Sequence, residues 1–348
     1  MLLPADSARD STRALTVSGF IDLYYAYDLG RPSQRDRAFT TQAVRHNEIN
    51  VNLAHVALAV ERDRVRGRLA FQAGTAVQVN YAGEPAIGAA SGSSLSRHLQ
   101  EATAGVRLSR TTWLDAGIYF SYIGWEGWIS RDNPTYSRSL VADYTPYYES
   151  GIRLGWQPDR RFSLQGHLMN GWQKISEDNN SKALGLRMDY AVTPRFIVAY
   201  GGFLGNEQPA GSARATRLFN QLMLKAEPSA RLLLQGQLDY GREAARGVLR
   251  DWYGAVLIAR LSLASRVATS ARIERFADPD QVVAPTGEVV GLVATGGSLG
   301  VDVSIPGGVL WRLEARALHA RSALFPKHGV DQASRSNAAL LTSLALTL

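Results

Sequence analysis

A period of two runs through this chain, and nothing constrains its fold more. In the stretch 309–322, VLWRLEARALHARS, the residues Val309, Trp311, Leu313, Ala315 and Ala317 are apolar or small, while Arg312, Glu314 and Arg316 stand between them. Leu, Ala, Glu and Arg favour a helix by propensity, but strict alternation places one set of side chains on each face of a β-strand. The question is what surrounds a strand with three charges on one face and a Trp on the other.

The same pattern recurs from Leu15 to Leu348, about sixteen times. LTVSGFIDLYYAYD sets Val17, Ile21, Leu23, Tyr25 and Tyr27 against Ser18, Asp22, Tyr24 and Asp28, and RLLLQGQLDYG sets Leu232, Leu234, Leu238 and Tyr240 against Arg231, Gln235, Gln237 and Asp239. VRGRLAFQAGTAVQVN reads as one long strand, with Val65, Leu69, Phe71, Val77 and Val79 opposite Arg66, Arg68, Gln72, Gln78 and Asn80. Short connections such as ERDR (61–64), SRTT (109–112), EPSA (227–230) and PGG (306–308) alternate with longer polar or Gly-rich ones at 29–47, 81–97, 124–143 and 321–335. Up-and-down strands joined by short turns at one end and long loops at the other are the pattern of an outer-membrane barrel, with turns towards the periplasm and loops outside. The expected fold is therefore all-β, a transmembrane antiparallel up-and-down barrel over 15–348, preceded by a periplasmic segment at 1–14. Charges on its outer face would cost about 2–4 kcal/mol each near the membrane midplane, so Arg312, Glu314 and Arg316 are expected inside.

Aromatic residues fall near the ends of the apolar faces. Tyr25, Tyr27, Tyr122, Tyr148, Trp172, Tyr240 and Tyr253 lie towards the loops, and Trp156, Tyr190, Phe196 and Trp311 towards the turns. Two such bands are expected where amphipathic rings settle at headgroup level, so Tyr25, Tyr27, Trp156, Trp172, Tyr190, Tyr240 and Trp311 are assigned to the membrane interfaces.

Composition narrows the function classes. No run of 18 apolar residues exists, so no membrane helix is expected. Cys is absent, which removes disulfides, thiolate nucleophiles and Cys-based zinc sites, and suits an oxidising envelope compartment. The net charge of +7 is spread over many alternating Arg rather than gathered in a patch, which fits a polar lumen better than nucleic acid, and no nucleic-acid partner is expected.

Three stretches carry a family resemblance. LDAGIYFSYIGWEGW (114–128) brings a Gly-containing strand into I-G-x-E. MNGWQKISEDNNSKALGLRMDY (169–190) follows with N-G-W and an Asn-rich loop. WYGAVLIARLSLASRVATSARIERFADP (252–279) ends in Arg-x-Glu, an aromatic and Asp. In this order the chain resembles the β-barrel porin-2 family of outer-membrane proteins. The resemblance implies a barrel in the bacterial outer membrane with pore activity.

No H-E-x-x-H, G-x-S-x-G, P-loop or G-x-G-x-x-G pattern is present, and the six His are scattered, so neither catalysis, metal nor cofactor is expected. His167 and Ser163 share a strand face but stand about 13 Å apart, too far to bond. The pore lining is expected to include Arg66, Arg68, Arg107, Arg153, Arg187, Arg272, Glu274, Arg312, Glu314 and Arg316. Such charges can select ions by sign, an Arg excess favouring anions, or pair across strands and brace the wall. A barrel of this size leaves a water channel unless a loop folds inward. The candidate constriction is loop 124–143, with Trp125, Glu126, Trp128, Arg131 and Asp132, while 81–97 looks like a surface loop. These readings converge on a porin for small hydrophilic solutes, weakly anion-preferring, in contact with outer-membrane lipid and, by fold-level analogy, a homotrimer. The alternative is a plugged barrel with a structural or interaction role.

Overall fold

A computed structural model describes residues 14–328 and 333–348. The segment expected to lie in the periplasm, 1–14, falls outside the described residues except for Ala14. The strands are β1 (Ala14–Asp28), β2 (Ile49–Glu61), β3 (Val65–Ala73), β4 (Leu99–Ser109), β5 (Thr112–Phe120), β6 (Tyr148–Trp156), β7 (Phe162–Met169) and β8 (Ala183–Thr193). They continue as β9 (Phe196–Asn206), β10 (Ala215–Ser229), β11 (Leu232–Ala245), β12 (Val248–Ser262), β13 (Val267–Asp278), β14 (Leu292–Ile305), β15 (Val309–Ala320) and β16 (Ser336–Thr347). Each pairs antiparallel with its sequence neighbours, and β16 returns to β1 with Asp28 opposite Ala339 and Phe20 opposite Thr347, closing the barrel. Closure leaves no edge strand with unpaired backbone, which a lipid environment demands.

The alternation settles which face meets lipid. Along β15 the odd residues from Trp311 to His319 are exposed and the even ones from Leu310 to Ala320 are buried. Leu222, Leu224, Leu238, Leu257, Leu313, Leu340 and Leu344 project outward, while Asp22, Arg187, Asp239, Arg272, Arg312 and Glu314 project inward. An apolar exterior around a charged interior reverses the arrangement of a water-soluble domain.

Two expectations about chain path change. The pattern of 65–80 is not one strand: β3 stops at Ala73 and a short helix α1 (Thr75–Asn80) follows, while α2 (Ser93–Ser96) lies further along the same loop. The break is Gly74, at φ +140 with a would-be Cβ 2.3 Å from Asn52 O, where a side chain would collide with backbone. Val77, expected on the lipid face, is instead buried beside Ala76 against the inner wall, with Phe20 and Leu53. The turn expected at 227–230 lies two residues later, because β10 runs on to Ser229 through an irregularity between Ala226 and Ser229 that accommodates Pro228.

The interfacial aromatics divide. Trp156, Tyr190, Tyr240 and Trp311 are between 37 and 45% exposed on the outer face, and Tyr25 and Tyr27 are half-buried there. Trp172 corrects the expectation of a membrane anchor. Its ring is buried on the inner side, edge-on to Phe203 at 4.8 Å, Phe219 at 5.0 Å and Trp252 at 6.3 Å. Loop 170–182 folds over the barrel mouth and carries it there. Tyr122 and Tyr148 are likewise buried, Tyr122 stacked on His167 at 4.2 Å and Tyr148 on Tyr81 at 4.2 Å.

Candidate pore and constriction

The connection between β5 and β6, residues 121–147, turns into the barrel instead of out into solvent. Tyr122 donates to Gly202 O at 2.8 Å, and the next turn of chain is held by Gln221, which accepts from Gly124 N at 2.7 Å. Trp128 Nε1 reaches Gln72 of β3 at 3.0 Å, and Ser130 donates to Asp22 of β1 at 2.7 Å. At the tip, Arg131 donates to Gly308 O in the β14–β15 turn at 3.3 Å and to Thr347. A loop rooted at the extracellular end thus reaches a periplasmic turn, having crossed the lumen on the way.

The wall side chains hold it by its backbone. Arg312 donates to the carbonyls of Ser130 (2.7 Å), Asn133 (2.9 Å) and Pro134 (3.1 Å) while its Nε pairs with Asp302 at 2.8 Å. Arg272 donates to Ser137 O at 2.5 Å and Thr135 Oγ1 at 3.0 Å. Glu314 accepts from Ser137 N and Oγ at 2.7 Å each, and Glu274 accepts from Leu140 N at 2.6 Å while pairing with Arg316 at 2.9 Å. Arg187 donates to Tyr122 O at 2.8 Å, pairs with Asp189 at 2.8 Å and lies 5.0 Å over Trp125. The guanidiniums donate to loop carbonyls and the carboxylates accept from loop N–H groups, so buried charge and buried backbone satisfy one another.

A one-turn helix, α3 (Leu140–Asp143), seats the returning leg. Ser139 caps it, accepting from Ala142 N. Val141 occupies the space above Gly254, where a Cβ would stand 2.2 Å from Val141 Cγ1, so any side chain at 254 would lift the helix. Burial pushes the Glu126 and Asp143 carboxyls above their usual range, opposed at Glu126 chiefly by Arg272 and at Asp143 by Arg316. The loop expected at the surface also contributes: Tyr81 stacks on Tyr148, and Glu84 accepts from Tyr148 at 2.6 Å and from Ile175 N and Ser176 N at 2.7 Å.

The expected lining residues therefore form two groups. The side chains of Arg187, Arg272, Arg312 and Arg316 are 0–6% exposed beneath the loop, with Glu274 and Glu314 among them. Those of Arg66, Arg68, Arg107 and Arg153 are 24–35% exposed, on the turn-side half of β3–β6. Arg66 pairs with Asp115 at 2.6 Å, Arg153 shares that carboxylate at 3.1 Å, and Arg68 pairs with Glu101. Arg66 and Arg107 lie over Trp113 at 4.3 and 4.8 Å, an inward aromatic that periodicity alone did not single out. Of the constriction residues, Glu126 and Trp128 are buried, Trp125 is half-buried, and Arg131 and Asp132 remain exposed. Ser163 hydrogen-bonds Asp189 while His167 contacts Tyr119, so these two face different partners. Asp278, the last residue of β13, accepts from the backbone of Val282, Val283 and Ala284 in the loop that follows.

A closed sixteen-strand barrel with a greasy exterior, a charged lumen and one loop folded inside is an outer-membrane porin. The chain belongs to the family described as "Putative beta-barrel porin-2, OmpL-like", whose model matches residues 14–348. No curated protein matches it significantly. Among solved structures it resembles the anion-selective porin from Comamonas acidovorans, with TM-score 0.62 and 12% identity over 97% of this chain and 100% of that one. It also resembles the outer membrane channel DcaP of Acinetobacter baumannii, with TM-score 0.64 and 9% identity over 99 and 100%. A third is OmpT of Vibrio cholerae in its trimer form, with TM-score 0.61 and 8% identity over 97 and 99%. At these identities the likeness concerns the fold.

Proposed function

We propose that the barrel passes small hydrophilic solutes by diffusion, without a catalytic step, through the water-filled space that loop 121–147 leaves along the β3–β6 wall. The carrying observation is the contrast in exposure between the loop-covered guanidiniums of Arg272 and Arg312 and the open ones of Arg66, Arg68, Arg107 and Arg153. In this reading the loop sets the width, and Arg66, Arg68 and Arg153, three guanidiniums facing the two carboxylates of Asp115 and Glu101, give a weak preference for anions. The anion selectivity of the Comamonas porin favours the same sign, and the trimer form of the Vibrio OmpT favours assembly as a homotrimer.

Planar bilayers under a salt gradient test this. Wild type is expected to conduct with a reversal potential of anion sign, and Arg66→Glu with Arg153→Glu to shift it towards cations. A folded protein that never conducts would establish the second reading, a plugged barrel, which the many buried loop contacts favour.

A further inference from the structure

The outer face carries a patch of polar side chains that departs from the apolar rule and, unlike the self-neutralising Arg242–Asp251 pair on β11 and β12, leaves its cations without acidic partners among the described residues. Arg275 of β13 lies opposite Thr295 of β14, Thr295 opposite His319 of β15, and His319 opposite Ser336 of β16. All four are exposed, so a row of polar side chains crosses four adjoining strands where leucines stand elsewhere. His319 Nδ1 and Ser336 Oγ are hydrogen-bonded at 2.8 Å. The next outward row towards the turns is Ile273, Gly297, Ala317 and Ala338, three of them small. An open cavity of about 600 Å³ adjoins the patch, lined by Thr295, His319, Ser336 and the exposed Lys327. Neither Arg275 nor Lys327 has an acidic partner within salt-bridge distance among the described residues.

The height of the row identifies what it meets. Trp311 marks the turn-side interface, and His319 is eight residues further along β15, about 26 Å of strand at roughly 3.3 Å per residue. With a strand tilt of about 40°, that is roughly 20 Å of height, near the upper limit of an apolar band about 25 Å tall. Cations facing hydrocarbon would be costly there, whereas cations facing anionic headgroups are stabilised. The guanidinium fork of Arg275 matches phosphate oxygens, and Lys327 adds a second charge. We propose that this patch binds the phosphate of an outer-leaflet glycolipid, with Arg275 and Lys327 on the phosphate, Thr295, His319 and Ser336 donating or accepting beneath it, and an acyl chain on the Gly297, Ala317 and Ala338 strip. This rests on the outer-membrane location and not on whether the lumen conducts.

The test is co-purification of the full chain with bisphosphorylated lipid A or with its dephosphorylated form, counted by native mass spectrometry. The phosphorylated lipid is expected to be retained at least tenfold better. Arg275→Ala with Lys327→Ala should lose that preference, while Arg242→Ala, at a rim residue already paired with Asp251 at 2.7 Å, should keep it. Folding is verified for each by heat-dependent electrophoretic migration, and Arg275→Lys alone provides a charge-retaining variant expected to keep most of the preference. Equal retention of both lipids overturns the proposal. So does a double variant that keeps its lipid but loses its oligomer, which would assign the patch to a second copy of the chain.

Discussion

Arg312→Ala is the perturbation that most sharply separates a docked constriction from a passive lining. The side chain is 1% exposed and gives three hydrogen bonds to loop carbonyls besides its pair with Asp302. Charge-assisted hydrogen bonds contribute roughly 1.5–3 kcal/mol each, but the three act as a unit, and breaking one side of a buried pair costs about 3–5 kcal/mol in all. Asp302 keeps Arg260, so the penalty falls mainly on the loop. At about 1.4 kcal/mol per factor of ten, docking weakens by roughly a hundredfold or more. Arg272, Glu314 and Glu274 still hold the loop, so Arg312→Ala should show brief excursions to a higher conductance level, and Arg272→Ala with Arg312→Ala should hold that level. Arg312→Lys keeps the charge, but three N–H donors on one point cannot serve three carbonyls and Asp302 together as the guanidinium fork does, so it should also flicker. Single-channel recording reads all three. A folded double variant with the wild-type level and no excursions would refute the view that these guanidiniums hold the loop.

Two further outcomes follow from the same contacts. Trp172→Ala removes a ring packed on Phe203, Phe219 and Trp252 and should lower barrel stability by about 3 kcal/mol or more, seen as a lower melting temperature, whereas Trp311→Ala on the lipid face should cost less. Because burial raises the carboxyls of Glu126 and Asp143 in the docked loop, their ionisation opposes docking. That cost is present at neutral pH and is relieved as pH falls through the raised values towards the ordinary carboxyl range, so the excursions of Arg312→Ala should become rarer as the pH is lowered from neutrality.

Periodicity displayed the wall and hid what touches it. Arg66 and Arg312 both obey the period of two that turns a side chain inward, yet one meets solvent and the other meets Ser130, Asn133 and Pro134. That difference depends on a loop more than 170 positions away from Arg312, which no local pattern encodes. The loop itself was legible at 124–143 because Trp125, Glu126 and Trp128 form an amphipathic cluster between strands, although its inward path extends to 121–147. Trp172 was misplaced because strand-end position alone cannot distinguish a ring that meets lipid from one carried inward by the following loop. The residues AVQVN before Tyr81 fit a strand or a helix equally, and only the backbone angle at Gly74 decides between them.

The central claim is that water occupies the lumen along β3–β6 beside the docked loop. The chain has no Cys, so single cysteines can be placed along β6 at Ile152, Arg153, Leu154 and Gly155 and challenged with a membrane-impermeant thiol reagent. Labelling is expected at the inward positions 153 and 155 and protection at the lipid-facing positions 152 and 154. Protection at 153 and 155 in a folded barrel would mean that the wall is sealed along this face and that no passage exists there.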